Sequence, residues 1–345
     1  MRISACLVER VTISSAVAAA TLSTSALAMD PATQLAERLD SMPTIYGNIQ
    51  LAHFWNEAED ATGNTIAADS SHEFADGGST IGFKHKHMIS DGLTGFFKAE
   101  FEFKADDKKA TGEKATDNNL FDLDEAYIGV KGDFGSVQVG SDDTVYEQMI
   151  NITDTSEQIG LGGYLAANGE GDNIQYVGSF DAITVGLTHP IDDTSDNAST
   201  QIAAKFSADM FSVALAYAMS RDTTVPAVTK GQDAIGFAAD ANIDDLTLQL
   251  QYETKDESAS GANDGGDYLA VQALYSMGAN TFALGYGISG TDVTGAEDES
   301  TIYAQALHSL SDNMYVYLEV AMTDDYGNVA DQENTATAVG ATYAF

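Results

Sequence analysis

The stretch "TATAVGATYAF" (335–345) decides the fold class, because its side chains alternate in kind along the chain. In an extended strand, successive side chains point to opposite faces of the sheet. One face then carries Val339, Tyr343 and Phe345, whereas the other carries only small residues such as Ala338 and Gly340. Chain ends are usually frayed and polar. This apolar, alternating end therefore predicts a final strand that is paired with another strand.

The same period of two recurs along most of the chain. It is clearest in "LTGFFKAEFEFK" (93–104), "LTLQLQYE" (246–253) and "MYVYLEVAM" (314–322), each with one apolar face and one polar or small face. This alternation is typical of β-strands that are buried on one side only. Sixteen such segments begin near residues 44, 78, 93, 120, 136, 172, 182, 199, 211, 233, 246, 266, 280, 299, 314 and 334.

The connections between these segments alternate between short and long. Seven are tight turns, namely "ISDG", "GDFG", "GSFD", "SADM", "NIDD", "SMGA" and "SLSD", and the other eight are longer and acidic. With an even number of strands, this order places all long loops at one end and both chain ends at the other. It predicts an all-β fold, an up-and-down antiparallel transmembrane β-barrel of sixteen strands over residues 44–345, closed by pairing of the last strand with the first. A soluble β-sandwich is the alternative, because alternation alone does not say which face points outward.

The N-terminus has the composition of an export signal. Residues 1–28 contain Arg2 and Arg10, a short apolar run and the small residues Ala26 and Ala28, which together indicate a cleaved signal peptide. Residues 29–43 are expected to form a short periplasmic segment. The single cysteine, Cys6, lies in the peptide, so the exported chain is expected to have no disulfide.

The charge of the chain excludes one class of partner. Its formal net charge is −38 at pH 7, with 53 acidic residues against 15 Lys and Arg. Nucleic-acid binding needs a basic surface that neutralises phosphates. We therefore expect no nucleic-acid partner.

Two internal segments resemble a known family. "DEAYIGVKGDFGSVQVGSDDTVYE" (124–147) and "NIQYVGSFDAITVGLTH" (173–189) resemble signatures of the Gram-negative general porins, and "YGNIQL" (46–51) and "STIGFKH" (79–85) extend the likeness. The resemblance implies a homotrimer of sixteen-stranded barrels in the outer membrane, in contact with lipid and lipopolysaccharide. It also implies a water-filled pore narrowed by the third long loop, here residues 142–171. In this family the aromatic last strand, here with Tyr343 and Phe345, is the signal for the outer-membrane assembly machinery.

The resemblance also assigns charged residues to the pore. Acidic residues of the third long loop are expected at the constriction, with Asp154 and Glu157 as the best match and Asp143 and Glu147 beside them. The opposite basic wall departs from the family, because Ser141 stands where the signature has arginine. A charged side chain facing lipid costs roughly 2–4 kcal/mol at the bilayer midplane. The strand lysines Lys84, Lys86 and Lys98 are therefore expected on the pore wall, together with Glu100 and Glu102 on the strand of Lys98.

The function that follows is passive diffusion of ions and small hydrophilic solutes, with cations preferred because acids are kept and arginines lost. The alternatives are a substrate-specific channel and a surface adhesin with a plugged barrel. We expect no enzyme, because the six histidines form no paired catalytic motif. We also expect no cofactor and no metal, since His85 and His87 share a face but lack an obvious third ligand.

Overall fold

The computed structural model describes residues 42–106, 121–161, 165, 171–191, 199–220, 232–257 and 265–345. Within these ranges lie seventeen strands: β1 Thr44–Glu59, β2 Ser71–Asp76, β3 Ser79–Ser90, β4 Leu93–Phe103, β5 Phe121–Gly132, β6 Gly135–Ser141, β7 Asn173–Phe180, β8 Ile183–Pro190, β9 Ser199–Ser207, β10 Phe211–Ser220, β11 Ala234–Ile243, β12 Leu246–Lys255, β13 Gly266–Met277, β14 Asn280–Thr291, β15 Glu299–Ser311, β16 Met314–Asp324 and β17 Glu333–Ala344. A helix, α1, spans Val145–Ile150, and a 3-10 turn spans Tyr326–Asn328. The predicted signal peptide and most of the predicted periplasmic segment lie outside the described residues.

The strands form one closed sheet. Neighbours in the chain pair antiparallel from β3 through to β17, and β17 pairs with β1 over twelve residues, from Asn48 opposite Ala344 to Glu59 opposite Glu333. Beyond β17, the backbone N–H groups of Phe345 and Gly47 each donate to the other's carbonyl, at 2.9 and 3.1 Å. The predicted pairing of the last strand with the first is confirmed. A closed barrel has no unpaired edge to expose.

The exposure of the side chains shows which face of the sheet points outward. On β12, Leu248 and Tyr252 are 42% and 43% exposed, whereas Gln251 and Glu253 are fully buried. The other strands expose Leu284, Val339 and further large apolar residues in the same way. A soluble protein would bury these residues, so the β-sandwich alternative is wrong. We call the apolar side the outer face and the polar, small side the inner face.

Among the described residues, no helix is both long enough and apolar enough to cross a membrane.

The tight turns lie where the sequence predicts them. Each of the seven joins two consecutive strands, and several use backbone conformations with positive φ, as at Gly92 (77°), Asp181 (52°) and Gly278 (62°). Glycine adopts such conformations without strain, and aspartate is among the residues that tolerate them best.

Two elements were not predicted. Residues 71–76, expected within a long loop, form strand β2, which continues the path of β3 along β1. Because β2 and β3 occupy successive parts of β1's edge, they count as one position, and the barrel has sixteen positions, as expected. The second unpredicted element is helix α1, which lies inside the expected long loop 142–171.

Candidate functional site

The segment that follows β6 turns onto the inner face of the sheet. Helix α1 begins at its cap residue Thr144, whose side-chain oxygen accepts a hydrogen bond from the N–H of Glu147 at 3.3 Å. The N–H of Val145 donates to the Thr188 hydroxyl on β8 at 3.0 Å. The buried face of α1 packs on small residues of β9, β10 and β11: Ala203, Ala214, Ala216, Ala218, Ala234 and Ala238.

Glycines on the inner face make room for this helix. A Cβ atom at Gly236 on β11 would lie 2.6 Å from the Tyr146 hydroxyl oxygen, and one at Gly186 on β8 would lie 2.7 Å from a Val145 methyl carbon. Real Cβ atoms do not approach other heavy atoms this closely. The position of α1 against the wall therefore depends on these glycines.

Beyond α1, the segment contacts further strands in turn. The Thr153 hydroxyl donates to the side-chain oxygen of Gln251 on β12 at 2.8 Å, and the Thr155 hydroxyl donates to that of Gln272 on β13 at 2.9 Å. The fully buried Glu253 on β12 accepts from the Tyr146 hydroxyl at 3.0 Å and from the N–H of Leu165 at 3.1 Å. All these wall partners lie on the inner face.

The far end of the segment is held by one buried carboxylate. Glu319 on β16 is fully buried, and its two oxygens accept five hydrogen bonds. The donors are the backbone N–H groups of Glu157 (2.5 Å), Gln158 (2.9 Å) and Ile159 (3.1 Å), the Tyr303 hydroxyl (2.9 Å) and the Gln305 amide (2.9 Å). Carboxylates that accept several N–H groups make strong, charge-assisted bonds. Residues 142–161, the 142–161 segment below, are thus attached to the inner face at both ends.

The expected constriction acids lie in this segment. Glu157 accepts from the Tyr315 hydroxyl of β16 at 2.8 Å, and Asp154 accepts from the Ser156 hydroxyl at 3.1 Å. Burial and, to a smaller extent, the nearby Glu319 carboxylate raise the pKa of the Glu157 carboxyl to about 7, although the hydrogen bond from Tyr315 opposes the rise. Burial likewise raises the pKa of Asp154. Asp143 and Glu147 are half-buried on either side of the helix cap.

Asp142, at the start of the segment, also carries an altered carboxyl. Burial, then repulsion by Glu125, raises its pKa to about 7, although its hydrogen bond from Gln138 opposes the rise. Its charge therefore changes near neutral pH, as does that of Glu157.

The expected basic side chains stand together on β3 and β4. Lys84 and Lys98 are directly opposite in the antiparallel register, and their Nζ atoms lie 4.9 and 5.9 Å from the centre of the Tyr46 ring. Lys98 makes an ion pair with Glu125 of β5 rather than with the expected constriction acids. Lys86 lies two residues beyond Lys84 towards the turn and is exposed.

The expected pore-wall acids of β4 are half-buried. Glu100 lies opposite Glu125, and Glu102 lies opposite Thr80 on β3. Among the described residues, the carboxylates of Glu100, Asp124 and Glu125 form a group whose oxygens lie within 4.8 Å of one another. We assign no metal to this group, since Glu125 is already paired with Lys98.

The two histidines of β3 lie away from the lysines. Their rings are stacked with centres 6.1 Å apart, and His85 also contacts Phe97 of β4, on the face opposite Lys84 and Lys98. The one group of three or more potential metal ligands among the described residues does not include them.

Residues 14–328 match the sequence profile of the family described as Gram-negative porin. The chain is a Gram-negative porin.

Named relatives and solved structures agree with this assignment. The porin is 31% identical, over 98% of its own length and the whole length of the relative, to a "Monosaccharide porin" of a Halomonas species and to the "Major outer membrane protein" of Halomonas elongata. Among solved structures it resembles the anion-selective porin of Comamonas acidovorans (TM-score 0.71, 20% identity, 88% of this chain and 99% of that one). It also resembles OmpF of Salmonella typhi (TM-score 0.71, 21% identity, 89% and 99%). The protein is therefore an outer-membrane channel protein and not an enzyme.

Sequence reasoning missed the two residues that anchor the 142–161 segment. Glu253 and Glu319 are fully buried carboxylates on strands. In the sequence, an acidic residue on the inner face cannot be told from any other polar residue of the alternating pattern. The available signal was that Glu319 lies between two neutral inner-face residues, Tyr317 and Ala321. Fully buried carboxylates usually accept several hydrogen bonds.

Proposed function

We propose that this porin allows passive diffusion of ions and small hydrophilic solutes across the outer membrane, with a preference for cations. A closed barrel of sixteen strands encloses an aqueous channel rather than a packed core. The 142–161 segment contacts the inner face at β8 to β11, then β12 and β13, and finally β16. These contacts support an arrangement in which the segment crosses the bore and narrows it.

The charge of this segment carries the proposed cation preference. It contains Asp142, Asp143, Glu147, Asp154 and Glu157, and residues 142–171 include neither lysine nor arginine. On the wall, the charge of Lys98 is compensated by Glu125. Selectivity in channels arises from charged side chains at the narrowest point, so a segment there that carries acids and no bases favours cations. The anion-selective porin of Comamonas acidovorans shares the fold at 20% identity, and a likeness at this level carries no argument about the selectivity of this porin.

The acidic outer loops contribute less to selectivity than the 142–161 segment does. Salt screens exposed charges over about 8 Å at 0.15 M and about 3 Å at 1 M. Over such short ranges, only charges close to a permeating ion act on it strongly, as those of the constriction are proposed to do. We therefore base the prediction of selectivity on the segment.

The assembled form is proposed to be a homotrimer in lipid and lipopolysaccharide. The apolar outer face supports a membrane environment, and among the structural neighbours OmpT of Vibrio cholerae is described in a trimer form. Recognition of the C-terminal strand by the outer-membrane assembly machinery is part of the same proposal. Tyr343 and Phe345, each 51% exposed on the outer face, are the residues concerned.

Passage of monosaccharides is a second candidate, favoured by the name of the Halomonas relative. Tyr315 and Tyr317 lie on the inner face of β16 with ring centres 6.4 Å apart, and aromatic rings offer apolar surfaces to sugar rings. Liposome-swelling rates for glucose and for a neutral amino acid of similar size test this candidate. Equal rates for the two solutes would favour general diffusion.

Reversal potentials in planar bilayers test the main proposal. Purified protein under a KCl gradient is expected to insert in groups of three equal conductance steps and to give a reversal potential of cation-selective sign. An anion-selective sign would reject the proposed preference. Absence of conductance in the folded protein would reject the channel and favour the plugged adhesin.

A further inference from the structure

The wall of the barrel is irregular at the junction of β2 and β3. Along β1, Leu51 lies opposite Asp76 and Asn48 lies opposite Thr80. Three residues, 77–79, therefore face two residues of β1, which is the arrangement of a β-bulge. Bulges disturb the ladder of backbone hydrogen bonds locally and leave groups available for other partners.

The bulge is stabilised mostly by groups of its own strands. The Asp76 carboxylate accepts from the N–H groups of Gly78 (3.0 Å) and Ser79 (3.1 Å). The N–H of Gly77 donates to the Gln50 carbonyl at 3.0 Å, and the N–H of Gln50 donates to the Ser79 hydroxyl at 3.0 Å. Gly78 has a φ of 103°, which favours glycine at this position.

The carbonyl of Gly77 has a partner from outside these strands. The side-chain amide of Gln158, in the 142–161 segment, donates to this carbonyl at 3.0 Å and to the Gln50 side-chain oxygen at 3.2 Å. A Cβ atom at Gly77 would lie 2.1 Å from the Gln158 amide nitrogen. The Gln158 side chain therefore occupies the space that any larger residue at position 77 would fill.

Gln158 also spans the pairing of β1 with β17 that closes the barrel, called the closing seam below. Its backbone N–H donates to Glu319 of β16 at 2.9 Å, while its side chain bonds to β1 and to the bulge. Between these strands lies β17, whose inner-face Ala338 is fully buried. One residue thus bridges the strands on both sides of the β1–β17 pairing.

We infer that Gln158 is a positioning residue, and that the bulge at Gly77 is its socket, so that together they fix the 142–161 segment across the closing seam. This inference rests on the proposed function, in which that segment narrows the bore. Without the bridge, the segment keeps its attachment to Glu319 but loses its contact beyond the seam. Its end then moves relative to the far wall, and the width of the bore fluctuates.

Single-channel recordings of three variants test this inference. Gln158→Ala removes the side chain, Gln158→Glu keeps its size but replaces the donor amide with a carboxylate, and Gly77→Ala fills the socket. Each is expected to raise mean conductance and to add current fluctuations between sub-levels. Gln148→Ala is the matched control, because Gln148 is exposed in the same segment and its amide donates within that segment, to the Asp143 carbonyl.

A double-mutant cycle separates this role from a general structural one. If Gly77→Ala acts by displacing Gln158, it should change conductance little further in the Gln158→Ala background. Additive effects, or conductance like that of the unmodified porin in all variants, would overturn the inference. If Gly77→Ala fails to fold, the two Gln158 variants and the control still decide the outcome.

The experiment also distinguishes this inference from the proposed function. An unmodified porin that does not conduct overturns the channel itself. If the unmodified porin conducts, and its Gln158 variants show the same mean conductance without added current fluctuations, only the positioning role is overturned.

Discussion

At the scale of single residues, carboxyl groups govern the site. Glu253 and Glu319 are fully buried and act as hydrogen-bond acceptors for the 142–161 segment, whereas Asp154 and Glu157 belong to the segment itself. The same chemical group therefore has two uses in this protein. One pair holds the chain in place, and the other is proposed to act on permeating ions.

Neutralising the segment's acids should weaken cation preference. A unit charge about 4 Å from an ion contributes ~1 kcal/mol in water, favourable for a cation and unfavourable for an anion, which corresponds to about a fivefold change in the permeability of each ion for each charge removed. The double variant Asp154→Asn, Glu157→Gln should therefore show a lower K⁺/Cl⁻ permeability ratio in reversal-potential measurements. Glu297→Gln, in an exposed outer loop, is the control and should change the ratio little. An unchanged ratio in the double variant would show that other acids set the selectivity.

Selectivity should also depend on pH. Because the pKa values of Asp142 and Glu157 are raised to about 7, both carboxyls are mostly neutral below that pH and charged above it. Cation preference should then increase as the pH rises from about 6 to about 8, whereas ordinary carboxyls would complete their ionisation below about pH 6. Reversal potentials at pH 5.5 and 8.5 measure the change. The variant Asp142→Asn, Glu157→Gln should lose the dependence, and a flat profile in the unmodified porin would contradict the prediction.

At the scale of elements, small residues and buried acceptors cooperate to seat one segment. Helix α1 fits against β8 to β11 because Gly186, Gly236 and the neighbouring alanines leave space. The end of the segment stays on β16 because its backbone N–H groups find a buried carboxylate there. The shape of the wall determines where α1 packs, and hydrogen bonding determines where the end of the segment attaches.

Removing the Glu319 acceptor should release the end of the segment. In Glu319→Ala, three backbone N–H groups and two side-chain donors lose their acceptor, at a cost of about 1–3 kcal/mol for each donor left buried and unpaired. Single-channel recordings should show larger current noise and a higher mean conductance. Glu319→Gln keeps one acceptor oxygen and should show a smaller effect.

Glu333→Ala, at an exposed position at the start of β17, is the control for that substitution. If Glu319→Ala shows unchanged mean conductance and no added current noise, the other contacts suffice to hold the segment.

At the scale of the whole molecule, closure of the barrel determines stability and environment. The sheet ends where Phe345 bonds to Gly47, and the Phe345 ring lies close to Gly47, where a Cβ atom would be 2.9 Å from its Cζ. A barrel left open there would expose unpaired backbone groups to lipid, at several kcal/mol each. The apolar outer face then requires a membrane around the closed barrel.

Truncating the terminal ring should impair assembly. Phe345→Ala keeps the backbone bonds to Gly47 but removes the ring, so a smaller fraction of the protein should reach the folded, heat-modifiable form on gel electrophoresis. Val329→Ala, exposed in an outer loop, is the control. Refolding into liposomes without assembly machinery separates two causes. A defect seen only in cells indicates recognition by the machinery, and a defect in both indicates weaker closure. Normal yields in both would contradict the prediction.

The sequence alone determined the faces and the order of the strands. Side-chain alternation has a period of two in any extended strand, so "LTLQLQYE" and "TATAVGATYAF" fix which residues share a face without knowledge of the fold. The seven short turns likewise follow from local chemistry, because residues such as Gly92 and Asp181 favour the backbone conformations that tight turns need.

The outward direction of the apolar face and the attachment of the 142–161 segment depend on the folded barrel. The alternation of Leu248 with Gln251 and Glu253 is the same in a soluble sheet and in a barrel, because period says nothing of the solvent on either side. The roles of Glu319 and of Gly77 depend on residues more than eighty positions away in the chain. Such contacts form only when the closed barrel brings distant strands together, and no local pattern encodes them.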